Sequence, residues 1–188
     1  MSNSSCATAT MSSSWNSNPV TWSKKTMSIR ILKIILVVFV GLQGWLYVAG
    51  NLANWDTAIG AIGYVLGQTG HEVYSNHIFP PITSPALVTL ALLTIVTFEF
   101  LVGALSLKGA WDLWKARKAD ASTFNGAKTF AILGAGTAMV TWFGGFVVVG
   151  GALFQMWQTP VGTGSFEGAF IYGAVSALVL LFVNSPDR

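Results

Sequence analysis

The sequence PALVTLALLTIVTFEFLVGALSL, residues 85–107, carries one charged side chain, Glu99, in an otherwise apolar stretch. A helix needs about 20 such residues to cross the hydrocarbon core of a bilayer. Ser84 and Pro85 open the stretch, and these residue types favour the cap and the first position of a helix. The stretch therefore predicts a transmembrane helix.

The composition of the whole chain agrees with a membrane protein. Of its 188 residues 53% are hydrophobic and 9% are charged, whereas soluble domains average about 25% charged residues. The mean hydropathy is +0.60. These values exclude an ordinary soluble enzyme, a disordered chain and a nucleic-acid-binding protein. A single cysteine, Cys6, excludes an internal disulfide and any CxxC site.

Three further apolar stretches, at about 29–50, 128–157 and 167–184, are long enough to cross a bilayer as helices. Residues 108–120 read as a cytoplasmic extension of the second span. Residues 1–26 are rich in Ser, Thr and Asn and predict a disordered leader, so that 27–188 form one membrane domain. A cleaved signal peptide is the alternative for the first span, but Trp45 and Tyr47 near its end are typical of an interfacial anchor.

The basic residues predict the orientation of the four spans. All ten Lys and Arg residues fall on one side of the four-span arrangement, and the positive-inside rule makes that side cytoplasmic. Both termini are then inside and segment 51–84 is outside. Within that segment Trp55, Ile59, Ile62 and Leu66 recur at helical spacing. The predicted fold class is all-α, a four-transmembrane-helix bundle with a short amphipathic helix in the first extracytoplasmic loop.

Glu99 is the residue that most clearly invites a functional interpretation. It lies 14 residues after Pro85, about 21 Å along a helix, and an ionisable group at that depth is costly and by default indicates function. Polar residues of the other spans lie near the same level, so we expect an intramembrane polar cluster of Glu99, Gln43, Thr137, Thr141, Tyr172 and Ser176. One interpretation is a proton site, and the other is a structural set of interhelical hydrogen bonds.

Small and polar residues recur along one face of the third span. Gly134, Gly144, Gly151 and Gln155 lie on one heptad face, and Gly173 belongs to a small-residue face of span four. Small residues let membrane helices approach closely. These residues therefore predict either packing within the monomer or an interface with a partner subunit or a second copy.

Several motifs make the chain resemble a known family. They are ITSPAL at 82–87, GAWDLWKAR at 109–117, WFGGFVVVGGALFQMWQT at 142–159 and LLFVNSPD at 180–187. Their most specific element comprises Gly150, Gly151, Phe154, Met156, Trp157 and Gln158. From about Met27 to Asp187 the chain resembles a bacterial family of predicted small integral membrane proteins, domain of unknown function 2165. The resemblance implies the membrane topology and a bacterial inner membrane, and it implies no activity.

No catalytic residue, metal site or cofactor follows from the sequence, since His71 and His77 lie in a loop outside the spans. The leading hypothesis is a non-catalytic accessory or partner subunit of a membrane complex. The alternative is a small oligomeric transporter or channel that uses Glu99 as its proton or cation site. A quinone- or haem-linked redox anchor is the second alternative. The expected surroundings are the lipid bilayer and a membrane-protein partner or a second copy, without nucleic acid.

Overall fold

A computed structural model describes residues 24–187 of the chain, and these residues form helices and no strand. Six α-helices, a π-helical segment and one 3-10 turn follow one another along the chain: α1 Lys24–Ala53, α2 Trp55–Leu66, α3 Pro85–Ala116, α4 Ala121–Gly126, α5 Thr129–Met139, the π-helical segment Val140–Leu153, the 3-10 turn Met156–Gln158 and α6 Pro160–Asn184. The predicted leader, residues 1–26, lies outside the described residues except for its last three, which begin α1.

Four of the described helical stretches are long and apolar enough to cross a membrane, namely Thr26–Ala53, Pro85–Ala116, Ala121–Leu153 and Pro160–Asn184. The predicted fold class, an all-helical four-span bundle with a short helix after the first span, is therefore confirmed. Large apolar side chains such as Leu46, Leu178 and Leu181 are about two-thirds exposed. Such a surface requires lipid as its solvent.

Glycines determine how closely the four spans approach. Helix α1 packs against α3, α3 against α5, and α6 against both α5 and the π-helical segment. A Cβ atom on Gly44 would lie 2.6 Å from the carbonyl oxygen of Glu99, and one on Gly134 would lie 2.6 Å from the amide nitrogen of Ser106. Larger residues at these two positions would push backbones apart, so the small residues serve packing inside the chain.

Two span ends differ from the sequence pattern, and the local backbone at each end explains why. Helix α6 begins at Pro160 and not near 167, because the hydroxyl of Thr159 accepts a hydrogen bond from the amide of Gly162 at 3.1 Å. The third span ends at Leu153, and Gln155 follows with a left-handed φ of 53°. A change of chain direction there replaces the predicted continuation to residue 157.

The two ends of the bundle differ in chemistry. We call the end that holds Arg30, Lys33, Lys128 and Asp187 the basic end, where Asp187 forms ion pairs with the other three residues. The opposite end, which we call the loop end, holds α2, the segment 67–84 and the turn 154–159. Helix α2 buries none of its residues and covers the spans at the loop end.

Candidate functional site

Glu99 lies in the middle of α3 with its side chain buried, at 1% exposure. Its Oε2 accepts a hydrogen bond of 2.8 Å from the side-chain amide of Asn51. The other carboxyl oxygen, Oε1, has no hydrogen-bond donor among residues 24–187. The carboxyl group therefore keeps a free acceptor deep inside a membrane span.

Asn51 is the residue of the candidate site that the sequence did not predict. The predicted first span ends at residue 50, whereas α1 continues to Ala53 and carries Asn51 to the level of Glu99. The available signal was the spacing of Gln43, Tyr47 and Asn51, each four residues after the last, which places three polar residues on one helical face.

Glu99 faces a cavity of about 320 Å³ between the spans and α2. Every span contributes to its wall, and α2 closes it on the loop-end side with Ala58, Ala61 and Ile62. Gly164, Ser165 and Gly168, from the first turns of α6, complete that side. The cavity thus occupies the loop-end half of the bundle, and Glu99 lines it.

Three aromatic side chains line the same cavity and touch one another. The ring centroids of Tyr47 and Tyr172 are 5.4 Å apart, those of Trp142 and Tyr172 are 5.8 Å apart, and those of Tyr47 and Trp142 are 6.0 Å apart. All three pairs meet edge to face, which is a favourable arrangement of aromatic quadrupoles. We call these three residues the aromatic triad. It places ring surfaces and a carboxyl group on one cavity wall.

The other residues of the expected polar cluster do not bond to Glu99. Thr137 and Thr141 donate to backbone carbonyls one turn earlier, at 2.8 Å each. The buried hydroxyl of Ser176 and the side-chain amide nitrogen of Gln43 have no hydrogen-bond partner among the described residues. Of the predicted cluster the structure brings only Tyr172 to the Glu99 cavity.

A second, apolar chamber of about 510 Å³ adjoins the cavity. It extends between α2, α3 and the π-helical segment, and Leu87, Leu90 and Ala91 of α3 line it. The cavity and the chamber share five lining residues: Ala61, Ile62, Ile95, Phe146 and Ser165. π-Helical turns are frequent at functional sites, and here this segment supplies walls to both spaces.

The small residues of the predicted packing stripe divide into two groups. A Cβ at Gly134, Gly151 or Gly173 would meet Ser106, the ring of Phe166 or the backbone of Phe143, respectively. At Gly144 no other atom of the described chain lies within 4 Å of that position. Gln155 lies beyond the helix, and its Oε1 accepts a hydrogen bond from Gln158 at 2.7 Å.

The motif residues between Gly150 and Gln158 hold two segments of the loop end together. The side-chain oxygen of Gln158 accepts the amides of Val73 and Tyr74 at 3.0 and 2.8 Å, and Trp157 packs edge to face on Tyr74 at 5.4 Å. The remaining motif residues pack beneath this contact: Gly150 against Met156, Gly151 against Phe166, Phe154 against Phe79, and Met156 against Gly162. The motif therefore attaches segment 67–84 to the turn before α6.

Replacing Gln158 with Ala should release this attachment. Both loop amides lose their acceptor, and each such bond is worth about 0.5–1.5 kcal/mol net. Hydrogen exchange at Val73 and Tyr74 should then accelerate by roughly tenfold, as an opening free energy lower by about 1.4 kcal/mol implies. Unchanged exchange at both amides would show that the loop is held by other contacts.

The two histidines lie together at the loop end, with ring centroids 5.7 Å apart. Burial lowers the pKa of His71, and the charge of His77 lowers it further. Within residues 24–187 no cluster of three or more His, Cys, Asp or Glu residues could hold a metal ion.

Comparison with known proteins yields one family. No curated protein and no solved structure matches the chain significantly. A family model described as predicted small integral membrane protein, DUF2165, matches residues 29–186, which include all four spans and the motif at the loop end. The chain therefore belongs to the family of predicted small integral membrane proteins with the domain of unknown function 2165.

Proposed function

We propose that this protein is a small membrane transporter or binding protein in which Glu99 receives a proton or a cation from inside the bilayer. One observation carries the proposal: a buried carboxyl group with a single amide partner lines a cavity of about 320 Å³ within the spans. We would expect a carboxyl group with a purely structural role to form interhelical hydrogen bonds through both of its oxygen atoms.

The surroundings of the carboxyl group favour a cation as its counterpart. No Lys or Arg occurs among the described residues that line the cavity, so the chain supplies no charge partner there. An ionised carboxylate in such surroundings is costly unless an opposite charge pairs with it. A proton or a bound cation removes that cost.

The packing below Glu99 favours loading from the loop end over an open channel. Toward the basic end α1 and α3 are in backbone contact at Gly44, and a Cβ at Gly103 would overlap the ring of Trp45. The buried residues Val102 and Ser106 continue this contact along α3. A ligand that enters from the loop end therefore stops at Glu99 unless the helices separate.

Labelling with a hydrophobic carbodiimide tests the site directly, because this reagent reacts with protonated carboxyl groups in apolar surroundings. We expect modification of Glu99, located by mass spectrometry, and slower modification as the pH rises. Glu72 is the matched control, an exposed carboxyl group in segment 67–84, outside the spans, that should stay unmodified. An unreactive Glu99 in folded protein would overturn the proposal.

Gly144 favours a second candidate, the accessory subunit. No other atom of the described chain lies within 4 Å of a Cβ at this position, and a glycine on a free helix surface suits close approach by another helix. Under this proposal a partner helix covers Gly144. Co-purification of a stoichiometric membrane partner that Gly144→Leu disrupts would support it, and a monomer that tolerates the substitution would contradict it.

We further propose that the basic end faces the cytoplasm of a bacterial cell and that the protein lies in the inner membrane. The gathering of Lys and Arg at one end supports this orientation through the positive-inside rule. A cysteine placed at Asn76 or Thr163 should react with an impermeant reagent from outside, and one at Ala121 should not. Reaction of the Ala121 site in intact cells would reverse the orientation.

A further inference from the structure

Resting on the proposed cation site, we infer that the ligand is an amphiphilic organic cation, with an ammonium head between Glu99 and the aromatic triad and an alkyl tail in the apolar chamber. The cavity and the apolar chamber together fit this class of ligand, whereas Glu99 alone is compatible with a cation of any kind.

The residues that line the cavity indicate an alkylated ammonium head group. Tyr47, Trp142 and Tyr172 line the cavity together with Glu99, and aromatic rings beside a carboxylate are the chemistry that recognises alkylated ammonium groups. Inorganic cations prefer several carboxylate, carbonyl or water ligands, whereas one carboxyl group and one amide line this cavity and its other side-chain oxygens are the hydroxyls of Tyr47, Tyr172 and Ser165. Ring faces bind an alkylated cation without replacing a hydration shell.

The size and the apolar lining of the adjoining chamber indicate an alkyl tail. The chamber has about 510 Å³, and its walls are apolar apart from Thr94 and Ser165. Along α3 it extends from Ile95 to Leu87, about 12 Å at the rise of an α-helix. Half of a bilayer's hydrocarbon core is about 15 Å thick, so the chamber holds most of an extended alkyl tail of that length.

The shared wall makes the two spaces one continuous site. Ile62 of α2, Ile95 of α3 and Phe146 of the π-helical segment border both. Helix α2 covers both spaces although none of its residues is buried. A head group at Glu99 can therefore continue into a tail within the adjoining chamber, and the exposed side chains of Leu87 and Leu90 place that chamber at the surface that faces lipid.

Protection of Glu99 from the carbodiimide tests the inference. The probes are dodecyltrimethylammonium, tetramethylammonium, which has the same head without a tail, and dodecyl sulfate at the same low concentration, which has the same tail with an anionic head. Both ammonium compounds should protect Glu99 of wild-type protein, the dodecyl compound at lower concentration, and the sulfate should not. Glu99→Gln, which retains an amide acceptor, should bind radiolabelled dodecyltrimethylammonium at least tenfold more weakly.

A pair of substitutions on α3 separates binding in the chamber from simple partition of the tail into lipid. Ala91→Phe fills part of the chamber and should raise the protecting concentration of dodecyltrimethylammonium about tenfold, which corresponds to about 1.4 kcal/mol. Ala86→Phe, the same change at an exposed position of the helix, should leave it unaltered. Thermal unfolding confirms that each variant is folded. Equal protection of both variants would overturn the tail assignment.

The outcomes distinguish the inference from the function on which it rests. If Glu99 is not labelled at all, the proposed function fails and the inference fails with it. If Glu99 is labelled and only Na⁺ or K⁺ protects it, the function stands and the inference is overturned. Vesicles of phosphatidylcholine and of phosphatidylglycerol distinguish the source of the ammonium group. Protection by phosphatidylcholine alone would replace the free amphiphile with a lipid headgroup and overturn the inference.

Discussion

Replacing Asp187 with Asn should lower the free energy of unfolding by about 3 kcal/mol, the usual cost of removing one partner of a buried ion pair. The carboxylate lies 2.8 Å from the ammonium group of Lys33, 2.7 Å from that of Lys128 and 3.7 Å from Nε of Arg30. All four side chains are at most 4% exposed. Without the charge on Asp187, three buried cations from two spans repel one another.

The difference in free energy of unfolding between wild type and Asp187→Asn depends on pH. Burial by itself raises the pKa of Asp187, but hydrogen bonds from Lys128 and Lys33 outweigh burial and lower it. The stabilisation is therefore complete above the unfolded pKa of about 3.9 and is lost as the pH falls toward the folded value. The difference between wild type and Asp187→Asn should shrink under those acidic conditions.

Asp112→Asn is the matched control, since Asp112 pairs with Lys108 and Lys115 at the exposed surface of α3. Exposed pairs contribute about 0–1 kcal/mol, so this variant should unfold close to wild type in a detergent titration. If the two substitutions cost the same, the basic end is not held by its ion pairs.

Gly134→Ala should destabilise the bundle by about 1–3 kcal/mol, the cost of overpacking a tight contact. The new methyl group would lie 2.6 Å from the amide nitrogen of Ser106 and 2.8 Å from its Cα. Backbone atoms of a neighbouring span cannot rotate away as a side chain can. This cost outweighs the gain of about 0.8–1 kcal/mol that Ala offers over Gly in a helix.

Gly144→Ala provides the comparison within the same span. No other atom of the described chain lies within 4 Å of its Cβ position, so the substitution should not destabilise the isolated protein and leaves the gain of about 0.8–1 kcal/mol that Ala offers over Gly in a helix. Thermal unfolding of the two variants in the same detergent measures the contrast. Equal destabilisation would mean that Gly144 is packed as tightly as Gly134.

The fold was predictable because each of its determinants is local. Four helical spans follow from three features of the sequence. These features are the apolar stretches long enough for a span, Ser84 before Pro85, and the one-sided placement of Lys and Arg. Helix ends were less predictable. The left-handed Gln155 lies in a turn that distant loop residues contact through Gln158, whereas the cap of α6 at Thr159 and Pro160 is local, like Ser84 and Pro85.

The candidate site was predictable only in part, because depth along a helix does not determine the direction in which a side chain points. Glu99 and Tyr172 share a cavity, whereas Thr137 and Thr141 at similar depth bond to their own helix. Asn51 lay one residue beyond the predicted span and supplies the hydrogen bond to Glu99. The ion pair between Asp187 and Lys33 joins residues 154 positions apart in sequence, and no periodic pattern reveals such a contact.

Difference infrared spectroscopy tests most directly whether Glu99 exchanges a proton for a cation. The protonated carboxyl group has its own stretching band, which disappears when the group ionises. Adding dodecyltrimethylammonium to wild-type protein, at a pH where this band is present, should remove the band, and Glu99→Gln should lack the change altogether. A band that stays when the cation is added to folded wild-type protein, or an equal change in Glu99→Gln, would contradict the account.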